Sequence, residues 1–186
     1  MKKWITESQD ELYKRRIFSL YDNRCYHPVK RVEHNFYVLK TYDWINVVAL
    51  TEANEIILVK QHRLGTDELT LETPGGIIEK NETPEDTALR ELEEETGYKS
   101  EKIILLKKLS ANPAILNNYI YFYLALGCKQ LSHQILDSAE DIEIQVCSMA
   151  ELKAMINSGA IDHSIVITAL SLYFLSDFCN ERIVIV

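Results

Sequence analysis

Residues 83–97 carry the start and stop signals of an α-helix, and this element constrains the rest of the chain more than any other. Thr83 is an N-cap hydroxyl, Pro84 suits the first helical position, Glu85 and Asp86 occupy the first turn, and Gly97 marks the stop. Ala88, Leu89, Leu92 and the stem of Thr96 give the helix an apolar stripe to bury. Glu91, Glu94 and Glu95 stand at i, i+3 and i+4, so three carboxylates project from one face, opposite or beside the apolar stripe. Like charges at that spacing destabilise a helix by a few tenths of a kcal/mol, roughly, and crowded carboxylates raise one another's pKa. A hard divalent cation held by carboxylate oxygens removes both penalties. A metal site is therefore expected on this face, the alternative being a solvated acidic surface.

The flanking sequence supplies strands to cover the stripe. Residues 45–51 (INVVALT) and 55–60 (EIILVK) are β-branched runs separated by Glu52-Ala53-Asn54 and read as a hairpin of buried strands. Residues 69–72 form a short strand that runs into Pro74-Gly75-Gly76, where the chain must turn. Residues 103–107, 119–126 and 142–147 read as further strands. Ser148 and Glu151 have the form of a capping box opening a short helix that ends near residues 157–159. A second, largely apolar helix is expected from residue 162 to about 179. This order predicts an α/β fold, a mixed sheet covered on both faces. Residues 1–40, tyrosine-rich with basic patches, read as an N-terminal hairpin or arm, leaving 41–186 as the main domain.

Lys and Arg number 20 against 28 Asp and Glu, a net charge of −8, so the chain lacks the electrostatic footprint of a polyanion binder. Nucleic acid and anionic membrane are not expected as partners. The longest apolar stretches, 119–127 and 165–175, fall well short of the ~20 residues of a membrane span. Lys2-Lys3 is followed within a few residues by Thr6-Glu7-Ser8-Gln9-Asp10, which leaves no apolar signal core, and a cytoplasmic location is expected. Cys25, Cys128, Cys147 and Cys179 show no CxxC spacing and read as buried thiols.

Gly76 is followed after five residues by Glu82 and after seven more by Arg90-Glu91-Leu92-Glu93-Glu94-Glu95-Thr96-Gly97-Tyr98. This stretch resembles the Nudix box, G-x5-E-x7-R-E-U-x-E-E-x-G-U with U a bulky apolar residue; every fixed position matches, and the final U is Tyr98. The resemblance continues through Gln61-His62-Arg63, Glu72-Thr73-Pro74-Gly75-Gly76, Asn112-Pro113-Ala114 and Glu140-Asp141-Ile142-Glu143, laid out as in Nudix enzymes that cleave nucleoside diphosphate sugars. It covers about residues 44–175. It implies a Nudix-type α/β/α sandwich and metal-dependent hydrolysis of the pyrophosphate bond of a substrate such as ADP-ribose, giving a nucleoside monophosphate and a sugar phosphate. Mg²⁺ is the implied ion with Mn²⁺ as a substitute, and the N-terminal hairpin implies a homodimer. Hydrolysis of nucleoside triphosphates or dinucleoside polyphosphates, and a non-catalytic binding module, are the alternatives. The stacked like charges of Glu91, Glu94 and Glu95 count against the last.

Carried over by position, the resemblance makes Glu91, Glu94 and Glu95 the metal carboxylates, with the backbone carbonyl of Gly75 a further ligand. Glu82 and Arg90 are expected to pair and orient those carboxylates rather than touch substrate. Arg63 either binds the diphosphate bidentately or lies on the surface. Trp44 stacks on a base or fills the core or a dimer interface. Asn117 and Asn118 read sugar hydroxyls or act as turn residues. Pro113 lies sixteen residues beyond Gly97, where the subgroup active on ADP-ribose carries a proline. His163 reads as a cap or core histidine. A metal-bound carboxylate is a poor proton acceptor, so the general base is sought in residues 137–143 (DSAEDIE). Glu140 is the first candidate and Glu143 the second. Glu91 is the option offered by Nudix enzymes that use a box glutamate, and a solvated acidic loop is the structural alternative.

Overall fold

The strands form two sheets, one largely exposed and one largely buried. In a computed structural model that describes residues 1–179, the chain divides into two units, Met1–Asp43 with Leu109–Ile120, and Trp44–Lys108 with the chain from Tyr121 onward. The first unit holds a three-stranded antiparallel sheet in the order β1 (Ile5–Lys14), β2 (Phe18–His27), β3 (Val32–Thr41). It takes in residues 109–120, which no local pattern links to the N-terminal segment. Leu39 N–H donates to Ile115 O at 2.8 Å, and Asn117 N–H donates to Leu39 O at 3.2 Å.

The second unit is built on a seven-stranded mixed sheet, to which β4 (Trp44–Thr51), β5 (Ile56–Arg63), β6 (Glu68–Glu72), β7 (Tyr98–Lys99), β8 (Lys102–Ser110), β9 (Tyr119–Gln130) and β10 (Glu143–Cys147) contribute. Its order is β10-β5-β4-β9-β7, with β6 on β5 and β8 on β9. β5 runs past its expected end at Lys60 because Gln61, His62 and Arg63 pair with Thr70, Leu69 and Glu68 of β6.

Three helices complete the unit: α1 (Pro84–Thr96), α2 (Met149–Ser158) and α3 (Ser164–Phe174). α1 begins and ends where its caps dictate. Asp86 N–H donates to Thr83 Oγ1 at 3.1 Å, and Gly97 turns left-handed at φ 73° with its N–H on Glu93 O at 2.7 Å. α2 opens on the capping box of Ser148 and Glu151. α3 is shorter than the expected span of 162–179. His163 is its N-cap, Nδ1 accepting from Ile165 N–H at 3.2 Å, and the chain passes after Leu175 into a 3-10 turn at Asp177–Cys179. Cys25, Cys128 and Cys147 are buried free thiols, whereas Cys179 on that turn is partly exposed.

Strand alternation divides the core between two helix layers. Ile45, Val47 and Ala49 of β4 join Ile57, Tyr123 and Ala125 in one buried cluster with Ala88 and Leu92 of α1. Val48 and Leu50 point to the other face of β4, against which α3 packs with Val166, Ala169 and Leu170 buried. The result is an α/β/α sandwich. Among the described residues no helix is long and apolar enough to cross a membrane.

Leu92 is fully buried, so Leu92→Ala should cost ~2–5 kcal/mol of stability, read from the shift of a urea unfolding midpoint. A loss under about 1 kcal/mol would mean that α1 does not pack through this face.

Candidate active site

The chain between β6 and α1 first runs as a strap along β4. Val47 N–H donates to Pro74 O at 2.8 Å, Ile45 N–H donates to Gly76 O at 2.9 Å, and half-buried Trp44 bridges to Ile77. Two glycines make this path open. A Cβ on Gly75 would stand 2.5 Å from Ile45 O, and one on Gly76 would strike the carboxylate of Glu91. The strap is thus wedged between β4 and the acidic face of α1, with its Gly75 N–H donating to Glu95 Oε2 at 3.0 Å.

Glu95 does not lie off the apolar stripe, as the pattern of apolar residues suggested. It follows Ala88 at i+7 and Leu92 at i+3, and only 5% of it is exposed. Burial pushes its carboxyl up to about 8 against the downward pull of the Gly75 N–H, and the charges of Glu91 and Glu140 act in the same direction as burial. Glu91 is raised too, chiefly by burial and in spite of Arg90.

Arg90 holds the other acidic groups. Its Nε and Nη2 donate to Glu82 Oε1 and Oε2 at 2.8 and 3.0 Å, and its Nη1 donates to Glu91 Oε1 at 2.9 Å and Glu94 Oε2 at 2.8 Å. The fork-to-fork bond from Arg90 holds the Glu82 carboxyl down at about 2. Because Arg90 draws Glu91 and Glu94 toward itself while Glu95 turns to Gly75, no three acidic, histidine or cysteine side chains converge on one point among the described residues.

The remaining candidates are placed unequally. Arg63 does not present an open fork: Nε and Nη2 each donate to a Glu72 oxygen at 2.7 Å. Glu72, which the sequence reading quoted in the approach to the glycines, was given no role there. It is 3% exposed, and Thr70 Oγ1, two residues back on the same face of β6, also donates to it, at 2.5 Å. Burial raises the Glu72 carboxyl, but the bonds from Arg63 and Thr70 outweigh that and hold it below the usual carboxylate range. The Glu95 charge acts on Arg63 as well.

Asn117 and Asn118 belong to the first unit, where one group of each amide bonds the main chain. Asn117 Oδ1 accepts from Thr41 N–H at 2.9 Å, and buried Asn118 donates through Nδ2 to Tyr42 O at 2.9 Å. Pro113 is exposed in the turn before them. Glu140 is exposed, yet its charge reaches both Glu91 and Glu95. Glu143 stands on β10 opposite Lys60, 3.6 Å from its Nζ, with 75% of its side chain exposed.

With this geometry the comparisons agree. The NUDIX domain model matches residues 43–169. The chain belongs to the Nudix family. It is 32% identical to the methanol dehydrogenase activator of Bacillus methanolicus over 74% of this chain and 75% of that protein. It is 29% identical to the ADP-ribose pyrophosphatase of Bacillus subtilis (strain 168) over 82% of this chain and 83% of that one. A crystal structure of an ADP compounds hydrolase superposes with a TM-score of 0.83 at 20% identity, covering 92% of both chains, and shares the fold.

Nudix hydrolases generally use divalent metal ions, and the residues present fit one. Glu95 is a nearly inaccessible carboxylate opposed by one backbone N–H, and Glu91 is a second, partly buried carboxylate on the same helix. Hard divalent ions prefer such oxygens.

The Glu82–Arg90 pair gives a pH signature. Glu82 is held well below its ordinary value of 4.5, so the stability it contributes is fully present above pH 4.5 and is lost as pH falls toward about 2. Glu82→Gln should therefore be less stable than wild type at pH 6, and the gap in urea midpoints should close on acidification through that window. A gap independent of pH would show that the charge of Glu82 is not what Arg90 reads.

Proposed function

We propose that this Nudix hydrolase cleaves the pyrophosphate bond of ADP-ribose or a closely related nucleoside diphosphate sugar, releasing AMP and a sugar phosphate. The observation that carries the reading is the buried Glu95 carboxylate beneath the Gly75–Gly76 strap, flanked by Glu91 and Glu94 on one helix face. Support for the substrate class comes from the likeness to an ADP-ribose pyrophosphatase across 82% of the chain and from the spacing of Pro113.

Glu91, Glu94 and Glu95, with the Gly75 carbonyl, would hold Mg²⁺, or Mn²⁺ in its place. A bound ion supplies neutralisation of the pyrophosphate charge and a lowered pKa for the attacking water. Arg90, braced by Glu82, limits the repulsion between Glu91 and Glu94. Arg63, aimed by Glu72, keeps Nη1 for a phosphate oxygen. Glu140 takes the proton of the water as its oxygen bonds to one phosphorus. The bond from that phosphorus to the bridging oxygen breaks, and the second phosphate leaves with that oxygen.

The N-terminal sheet is read as the element that pairs two copies, since β1 is an edge strand and Ile5, Leu12, Tyr13, Phe36 and Tyr37 are exposed on this sheet. Buried free thiols suit a reducing compartment, and the cytoplasm is proposed.

A panel of diphosphate sugars, nucleoside triphosphates and dinucleoside polyphosphates with Mg²⁺ and Mn²⁺ tests the substrate, products being resolved by chromatography. ADP-ribose should give AMP and ribose 5-phosphate with kcat/KM about tenfold or more above the other classes, and chelation should abolish turnover. Faster hydrolysis of triphosphates would overturn the reading. Glu140→Gln should lower kcat ~10²-fold or more with KM little changed, and an unchanged kcat would remove Glu140 from the base role.

A further inference from the structure

A helix cannot satisfy its last carbonyls by itself. One short segment, residues 131–135, takes those of α1. Leu131 and Ser132 donate their N–H groups to Gly97 O at 3.0 and 3.2 Å, and Ile135 N–H donates to Glu94 O at 2.9 Å. Gln134 Nε2 donates to Glu95 O at 2.7 Å. So close an approach requires glycine at the helix stop, because a Cβ on Gly97 would collide with Ser132 O.

The same nitrogen of Gln134 makes a second bond, to Ile142 O at 3.0 Å. A primary amide nitrogen carries two hydrogens, and here each faces a main-chain carbonyl, an arrangement that leaves the orientation of the amide no alternative. One side chain therefore joins the turn of α1 that bears Glu94 and Glu95 to the residue just before β10. Between its two anchors runs the acidic loop 135–141. The loop closes on itself through Asp137 N–H to Glu140 Oε2 and Glu140 N–H to Asp137 O, both 2.9 Å. The charge of Glu140 reaches Glu91 and Glu95 from this loop.

We propose that Gln134 is a positioning residue that pins both ends of the acidic loop, to the helix and to the strand, and thereby sets Glu140 against the helix carboxylates. This rests on the assignment of Glu140 as the base. Gln134 accepts no proton in the reaction and acts only through where it holds Glu140. Its loss should slow the chemical step while leaving substrate binding intact, because misplacement of a reacting group by about 1 Å can cost ~10²-fold.

The test is a double-mutant cycle on ADP-ribose hydrolysis with Gln134→Met, which keeps length and removes both donors, and Glu140→Gln. Gln134→Met should lower kcat about tenfold or more with KM changed less than about twofold, and in the Glu140→Gln background it should lower kcat less than about twofold further. Hydrogen exchange of residues 135–141 should quicken in Gln134→Met while the amides of the α1 centre stay protected. If Glu140→Gln keeps wild-type kcat, the base assignment falls and this inference with it. If Glu140→Gln loses kcat but Gln134→Met does not, or if the two losses multiply in full, the base assignment stands and the inference alone is overturned. Gln134→Glu, which keeps the shape but turns acceptors toward both carbonyls, serves the same cycle with the same expectations where the methionine variant does not fold.

Discussion

The hydrogen bond from Gly75 N–H to the Glu95 carboxylate is the point on which the site depends. Placing a carboxylate among apolar groups at the inner face of a helix costs several kcal/mol, roughly, unless something opposes its charge. Ala88 and Leu92 commit that face of α1 to the sheet, so Glu95, one turn further on, is carried inward with them. The strap can reach it only because neither Gly75 nor Gly76 has a side chain, since β4 lies against one and Glu91 against the other. Packing and chemistry are coupled here: the residues that bury the helix also deliver the carboxylate.

Around that buried carboxyl the chain distributes its arginines as braces. Arg90 spans three carboxylates and keeps the exposed part of the acidic face from repelling itself apart, while Arg63 is locked by Glu72 and Thr70 at the end of β5. Each guanidinium is held by a carboxylate outside the proposed metal set, Glu82 in one case and Glu72 in the other. That division leaves Glu95, and in part Glu91, short of positive charge, which is the electrostatic condition a divalent ion satisfies.

What was legible in the sequence was what local chemistry decides. The caps of α1, the capping box of α2, the β-branched strands and the Nudix box all depend on residues near one another in the chain, and the structure places them where those patterns lead. The features that escaped are closed by distant partners. Arg63 looked open because Glu72 pairs with it only once β6 folds back on β5. Asn117 and Asn118 read as sugar readers or turn residues, and their bonds to the main chain of Thr41 and Tyr42, far earlier in the chain, have no local signature. Gln134 carried no signal, being one polar residue in a loop whose two carbonyl partners lie on a helix and before a strand. The apolar stripe of α1, read from hydrophobic residues alone, left out Glu95 because a carboxylate is not counted as a core residue until a metal or a backbone donor is there to meet it.

The central claim is that the buried carboxylate of α1 is a metal ligand, and it is tested most directly without substrate or turnover. Calorimetric titration of Mn²⁺ into the wild-type protein and into Glu95→Gln, with circular dichroism to establish that both are folded, isolates the binding step. The account predicts saturable binding to the wild type and a loss of affinity of about tenfold or more in the folded variant. Equal affinity in the two proteins would contradict it.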